Sequence, residues 1–149
     1  MPRFEDTRIL PYTPEQLFDL VLNVADYPLF LPWCKAAHIY EVQQQAFMAD
    51  VVVGYKAFQE TFVSHVHHRS PTEIEVKYQD GPFKYLINKW SFQQARGGGQ
   101  LDFTVDFEFK SRLLEAAIRP VFPRAVGKMI AAFEQRAAVI YPKPLKYKS

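Results

Sequence analysis

A single cysteine, Cys34, in 149 residues leaves no partner for an internal disulfide, so nothing points to a stapled, secreted fold. Long apolar runs are missing as well. A membrane-crossing helix needs about 20 consecutive apolar residues, and no stretch approaches that length. The opening MPRFEDTRIL has no apolar signal core, and its Glu5 and Asp6 argue against a transit peptide. The expectation is a bacterial-type cytoplasmic protein, peripheral at the inner membrane, or a mature form whose targeting segment is absent from this sequence. Glycine is scarce, six residues in all, and its one cluster, RGGGQ at 96–100, has no following helix or lysine. That excludes a phosphate-cradling loop and reads as a hairpin turn. There are no internal repeats, no linker and no low-complexity run. One domain over 1–141 with a basic tail over 142–149 is the simplest organisation.

Metal and nucleophile signals are thin. HVHH at 65–68 puts His65 and His67 on one face of a strand, but no second pair of ligands accompanies them. His68 sits beside a turn at RSPT, and His38 has no evident partner. Cys34 lacks any signature of an activated thiol and reads as a small buried hydrophobe.

What is abundant is aromatic surface. Thirteen Phe, eight Tyr and two Trp bury much area per residue, and rings also line apolar cavities. Charge is unevenly placed. Residues 110–149 hold nine Lys or Arg against Glu115 and Glu134, a balance of +7, while the other 109 residues carry −5. A basic end suits anionic lipid or RNA; a solvated helix face with a loose tail is the plainer reading.

The order of elements follows from periodicity. RFEDTRIL alternates as a strand, and TPEQLFDLVLNV follows as a helix with Thr13 as N-cap and Pro14 at the first helical position. ADYPLFLP gives a second short helical turn, started by Pro28 and stopped by Pro32. Six strands are then expected at about 36–45, 46–55, 57–68, 73–79, 84–94 and 100–110. The last is the clearest, with Leu101, Phe103, Val105, Phe107 and Phe109 on one face and charged or polar residues on the other. Residues 111–140 return to helical spacing, with a kink or break near Pro120 and Pro123. A seven-stranded antiparallel sheet whose apolar face is covered by one long helix is an α+β helix-grip arrangement.

Four stretches carry a resemblance: YPLFLPWC at 27–34, DGPFKYLINKWSF at 80–92, VDFEFKSRLLE at 105–115 and MIAAFEQRA at 129–137. Together they resemble the coenzyme Q-binding proteins of the START (polyketide cyclase and lipid transport, SRPBCC) superfamily, over about residues 3–140. The resemblance implies a helix-grip fold with an internal hydrophobic cavity. It also implies non-catalytic binding of ubiquinone or polyprenyl precursors, in support of cellular respiration and quinone biosynthesis, with no cofactor. A sister group, the ribosome-association toxins, shares much of these motifs and implies a protein that binds the large ribosomal subunit and blocks subunit joining. An aromatase or cyclase enzyme, found elsewhere in the superfamily, would need an acid–base pair that the sequence does not offer.

The residues expected to line the cavity are Tyr27, Phe30 and Trp33 from the loop, Leu86 and Trp90 from YLINKW, and Phe103, Phe107 and Phe109 from the last strand. Phe122, Met129, Ile130 and Phe133 complete the set from the helix. Donors for a quinone head group are sought among Tyr78, Tyr85, Asn88, Lys89 and Trp90, with Glu60 also mid-strand. Leu86, Asn88 and Trp90 share one face and are placed inward; one residue of slip would exchange the set. Arg124 and Lys128 lie off the apolar stripe and are expected to meet anionic membrane head groups or RNA phosphates. Oligomeric state is left open.

Overall fold

Leu101, Phe103, Val105, Phe107 and Phe109 are all buried and the residues between them half-exposed, so the clearest alternation in the sequence becomes the innermost face of a sheet. In the computed structural model, which describes residues 3–55 and 58–141 (the side chains of Tyr55 and Phe58 excepted), this strand is β7 (Gly98–Phe109). The others are β1 (Arg3–Leu10), β2 (Cys34–Tyr40), β3 (Ala46–Tyr55), β4 (Phe58–Arg69), β5 (Glu73–Asp80) and β6 (Phe83–Ala95). They form one antiparallel sheet in the order β1-β7-β6-β5-β4-β3-β2. The expected basic tail at 142–149 lies outside the described residues.

The second strand departs from the expected 36–45. It begins at Cys34, and a register shift between Cys34 and Ala36 bends it at its start. It stops at Tyr40 because Glu41 takes φ +51, a turn conformation, and the amide of Gln43 bonds back to Ala46 O at 2.8 Å.

Helix α1 (Pro14–Leu22) starts as its sequence specifies. Thr13 Oγ1 accepts from the Gln16 amide at 3.1 Å, and Gln16 Oε1 accepts from the Thr13 amide at 3.0 Å, a reciprocal cap. Its buried face holds Leu17, Phe18, Leu20 and Val21. The corner between β1 and α1 crosses the β6–β7 hairpin so closely that a side chain has no room there. A Cβ on Gly98 would lie 1.9 Å from Leu10 O, and one on Gly99 would lie 2.8 Å from Tyr12 O. The glycine cluster therefore serves the crossing as well as the turn.

The C-terminal helical region is two helices. Helix α2 (Arg112–Ile118), capped by Ser111 Oγ, ends in a turn over 119–121, and α3 (Phe122–Ile140) restarts with Pro123 in its first turn. Pro120 has no amide to continue the ladder, which accounts for the break. Helix α3 buries Val126, Ile130, Phe133 and Ala137 at four- and three-residue spacing. It is not the only cover of the sheet, as the sequence suggested. Helix α1 also lies against β5, β6 and β7, and Tyr141 Oη donates to Gln16 O at 3.0 Å, tying the end of α3 to the start of α1.

Candidate functional site

The concave face of the sheet does not meet α3 everywhere. Between them lies a cavity of about 330 Å³, at the lower end of the size range for small-molecule sites. Its walls are Ala49, Val51 and Val53 of β3, Phe62, Ser64 and Val66 of β4, and side chains of β5, β6, β7 and α3. Val21, Leu22 and Val24 line it from α1 and its end, and Leu31–Cys34 line it from the loop.

The proline-flanked loop earns its rings. Residues Val24–Leu29 form a 3-10 helix containing Pro28. Tyr27 Oη donates to Val21 O, and the Phe30 and Leu31 amides bond back to Tyr27 O at 3.2 and 2.9 Å. Trp33 takes φ +68, rare for a bulky side chain, and its carbonyl accepts from the Gly54 amide at 2.8 Å. That bond ties the loop to β3.

Eight of the twelve residues expected at the cavity do line it: Tyr27, Trp33, Leu86, Trp90, Phe103, Phe122, Met129 and Phe133. The other four do not. Phe30 packs outside, edge-on to Phe133 at 5.4 Å, beneath the Arg136 guanidinium, which also pairs with Asp26. Ile130 is sealed in the core at 2% exposure, one helical step round from Met129. Phe107 and Phe109 keep the inward face but lie beyond the cavity. Phe122 covers Phe107 at 4.6 Å, and Phe83 stacks on Phe109 at 4.5 Å. Both border a separate space of about 400 Å³ with Phe4 and Pro123, and Phe122 walls both spaces.

The sheet parity in YLINKW is as expected, with Leu86, Asn88 and Trp90 on the cavity. Lys89 faces the other side and pairs with Glu75 at 3.7 Å. Tyr78, Tyr85 and Glu60 do not line the cavity; Tyr78 Oη accepts from the Phe83 amide at 2.9 Å. Sequence reasoning missed the β3 and β4 wall altogether, and it missed Cys34. The alternation Phe47, Ala49, Val51, Val53 and then Phe62, Ser64, Val66 was there to read, but the unbroken VVV at 51–53 hides it.

The cavity is nearly free of polar atoms. Asn88 Oδ1 accepts from Trp90 Nε1 at 2.7 Å, and its Nδ2 donates to Thr104 O at 2.9 Å. Burial pushes the Tyr27 hydroxyl far above the ordinary tyrosine range and pushes the Cys34 thiol up as well. Cys34 is therefore a thiol rather than a thiolate at neutral pH, and its Sγ lies 3.8 Å from Ala36 O.

His65 and His67 touch at 3.2 Å between ring nitrogens, and His38 stacks on Tyr40 at 5.4 Å. No group of three ligating side chains gathers among the described residues. His68 packs against Phe18 and Phe47, and burial, with His67 nearby, holds it below the usual 6.5. The unfolded chain then takes up this proton more readily than the folded one, so stability is full above about 6.5 and falls as pH drops through and below it. Urea titrations at neutral and mildly acid pH are expected to show that loss, and His68→Gln to reduce it. An identical pH slope in the variant would count against the assignment.

A larger groove of about 610 Å³ lies on the opposite face of the sheet, among His67, Glu75, Lys89, Asp102 and Arg3. Two of its charges are paired across strands, Arg3 with Asp106 and Lys89 with Glu75, and it has the character of a solvated outer face. Arg124 and Lys128 are both exposed on α3. No helix among the described residues is long and apolar enough to cross a membrane.

The family model for polyketide cyclase / dehydrase and lipid transport matches residues 10–134. Over 141 residues the chain is 38% identical to the ribosome association toxin RatA of Rickettsia prowazekii, covering 92% of this chain and 97% of that protein. It is 30% identical over 143 residues to the mitochondrial coenzyme Q-binding protein COQ10 homolog B of Xenopus laevis, covering 93% of this chain and 59% of that one. Among solved structures, an 18 kDa protein from Caulobacter crescentus is 36% identical and superposes with a TM-score of 0.78, over 96% of this chain and 100% of the other. With its curved seven-stranded sheet, its helical cover and the cavity between them, the chain belongs to the polyketide cyclase / dehydrase and lipid transport family.

Proposed function

We propose that the protein is a non-catalytic carrier that holds ubiquinone, or a polyprenyl precursor of it, in the cavity between sheet and α3. The observation that carries this reading is the lining itself. Aliphatic and aromatic side chains make nearly all of it, and no Asp, Glu, His, Lys or Arg lines it among the described residues. Such a wall gives an apolar chain about 0.8 kcal/mol for each buried CH₂, while offering no charged group for acid–base chemistry. Cys34 and Tyr27, the ionisable groups that do line it, are held in their neutral forms. The cavity's size suits a head group with a short piece of tail, the rest leaving through the mouth. The coenzyme Q-binding relative supports the ligand class. Exposed Arg124 and Lys128 supply a surface for anionic head groups during loading, each basic residue near such a surface contributing about 1 kcal/mol.

A second reading has its own support. The 38% identity to a ribosome association toxin, and the same name on further relatives, favour an interaction protein whose basic helical surface meets ribosomal RNA. Gentle purification from the native host, with mass spectrometry of the organic extract, separates the two. A quinone or polyprenyl lipid near one per chain is the expected result. An empty extract, from protein that sediments with ribosomes at moderate salt, would sink the carrier reading and leave the second.

A further inference from the structure

One polar side chain in the cavity has no partner. Ser64 is only 9% exposed and faces the cavity from the middle of β4. Its hydroxyl makes no hydrogen bond to another described residue. The polar groups near it differ in this respect: Asn88 is engaged with Trp90 and Thr104, and Tyr27 with Val21. The wall around it is almost wholly apolar, and a hydroxyl in such a setting almost always takes a hydrogen-bond partner. The strand register also shifts between Val63 and Ser64, a break of the kind that re-aims side chains beside binding sites.

Its depth matters as much as its chemistry. Ala49, paired with Ser64 across the strands, and Val66, next on the same face, are buried. At the other end of the cavity Trp33, Val53, Phe62 and Met129 are only half-buried. Ser64 thus stands at the enclosed end and the half-buried side chains form a rim.

We infer that Ser64 is the polar anchor of the cavity, donating its hydroxyl hydrogen to a carbonyl oxygen of the ligand. The oxygen-bearing end then sits deepest and the apolar chain runs out over the rim. This rests on the ligand-binding reading above and narrows it: the ligand is an amphiphile with a hydrogen-bonding oxygen at its buried end, and a plain hydrocarbon is discriminated against. A quinone ring carbonyl meets the requirement.

The test compares decyl-ubiquinone with decylbenzene, each titrated into the purified full chain while following the fluorescence of Trp33 and Trp90, both at the cavity. Wild type is expected to bind the quinone more tightly. Ser64→Ala should weaken the quinone about tenfold and leave decylbenzene unchanged. The unliganded variant should melt at or above the wild-type temperature, since no native hydrogen bond is lost. An unchanged preference in Ser64→Ala would overturn the role of Ser64 alone. So would a clearly lowered melting temperature, because that would reveal a structural bond. Failure of both probes to bind wild type would overturn the carrier reading, and this inference with it.

Discussion

Gly98→Ala is expected to yield a chain that does not hold its native fold. Gly98 has φ +145, a conformation nearly closed to residues with a side chain. Space is the harder constraint. The new Cβ would stand 1.9 Å from Leu10 O and 2.9 Å from Leu10 C, and both are main-chain atoms that cannot swing aside. Leu10 is itself held, opposite Gly99 in the β1–β7 ladder and by the Tyr12 amide bonded to its carbonyl at 2.8 Å. Relief would require pulling β1 off β7. A loss above about 4 kcal/mol has few causes in point mutants, and it approaches the whole stability of a typical domain, about 5–15 kcal/mol. The control is Gly127→Ala in α3, where nothing lies within 4 Å of the added Cβ. There the substitution should stabilise by up to about 1 kcal/mol, through helix propensity. Circular dichroism melts of both variants read the contrast. A Gly98→Ala protein melting close to wild type would show that the crossing is looser than described.

Phe133→Ala should cost about 3–5 kcal/mol in urea unfolding. Phe133 is 3% exposed and stands where the loop, the sheet and α3 meet. Its ring lies 5.4 Å from Tyr27, 5.4 Å from Phe30 and 5.6 Å from Trp90, each edge-to-face. Truncation would remove all three contacts and open the cavity further, with little room for collapse because Trp90 is braced by Phe103 and by its bond to Asn88. Phe133→Leu, which keeps most of the volume, should cost much less. A loss below about 1 kcal/mol for the alanine variant would mean that this ring does not hold the loop against the helix.

The architecture was readable because its signals are local. Thr13 and Gln16 cap α1 as spaced, β7 alternates over its whole apolar face, and Pro120 marks the helix break. The direction of Leu86, Asn88 and Trp90 was also readable, since parity in one strand needs only one correct choice. The extent of the cavity was not. Phe103, Phe107 and Phe109 look equivalent along the strand, yet whether each meets a void depends on what the helix places opposite. Phe122 fills the space over Phe107, and Phe83 arrives from β6 to cover Phe109. Ile130 and Met129 differ by one step of helix phase, which no stripe of apolar residues resolves. Ser64 was invisible for another reason. A serine between Val63 and His65 carries no signal until its neighbours are known to leave it unbonded.

The place of β1 bears on how this molecule comes into being. It is an edge strand whose sheet neighbour is β7, and Arg3 meets Asp106 across a separation of 103 residues. The hairpins from β2 to β7 join strands adjacent in sequence and close short loops, so they can form early. Pairing β1 with β7 requires the chain through β7 to be present, and contacts of such long separation form slowly. Helix α3 follows β7, so its docking also waits for the sheet. The hollow between them is thus complete only once β7 and α3 are both in place, later than the hairpins that make up most of its wall.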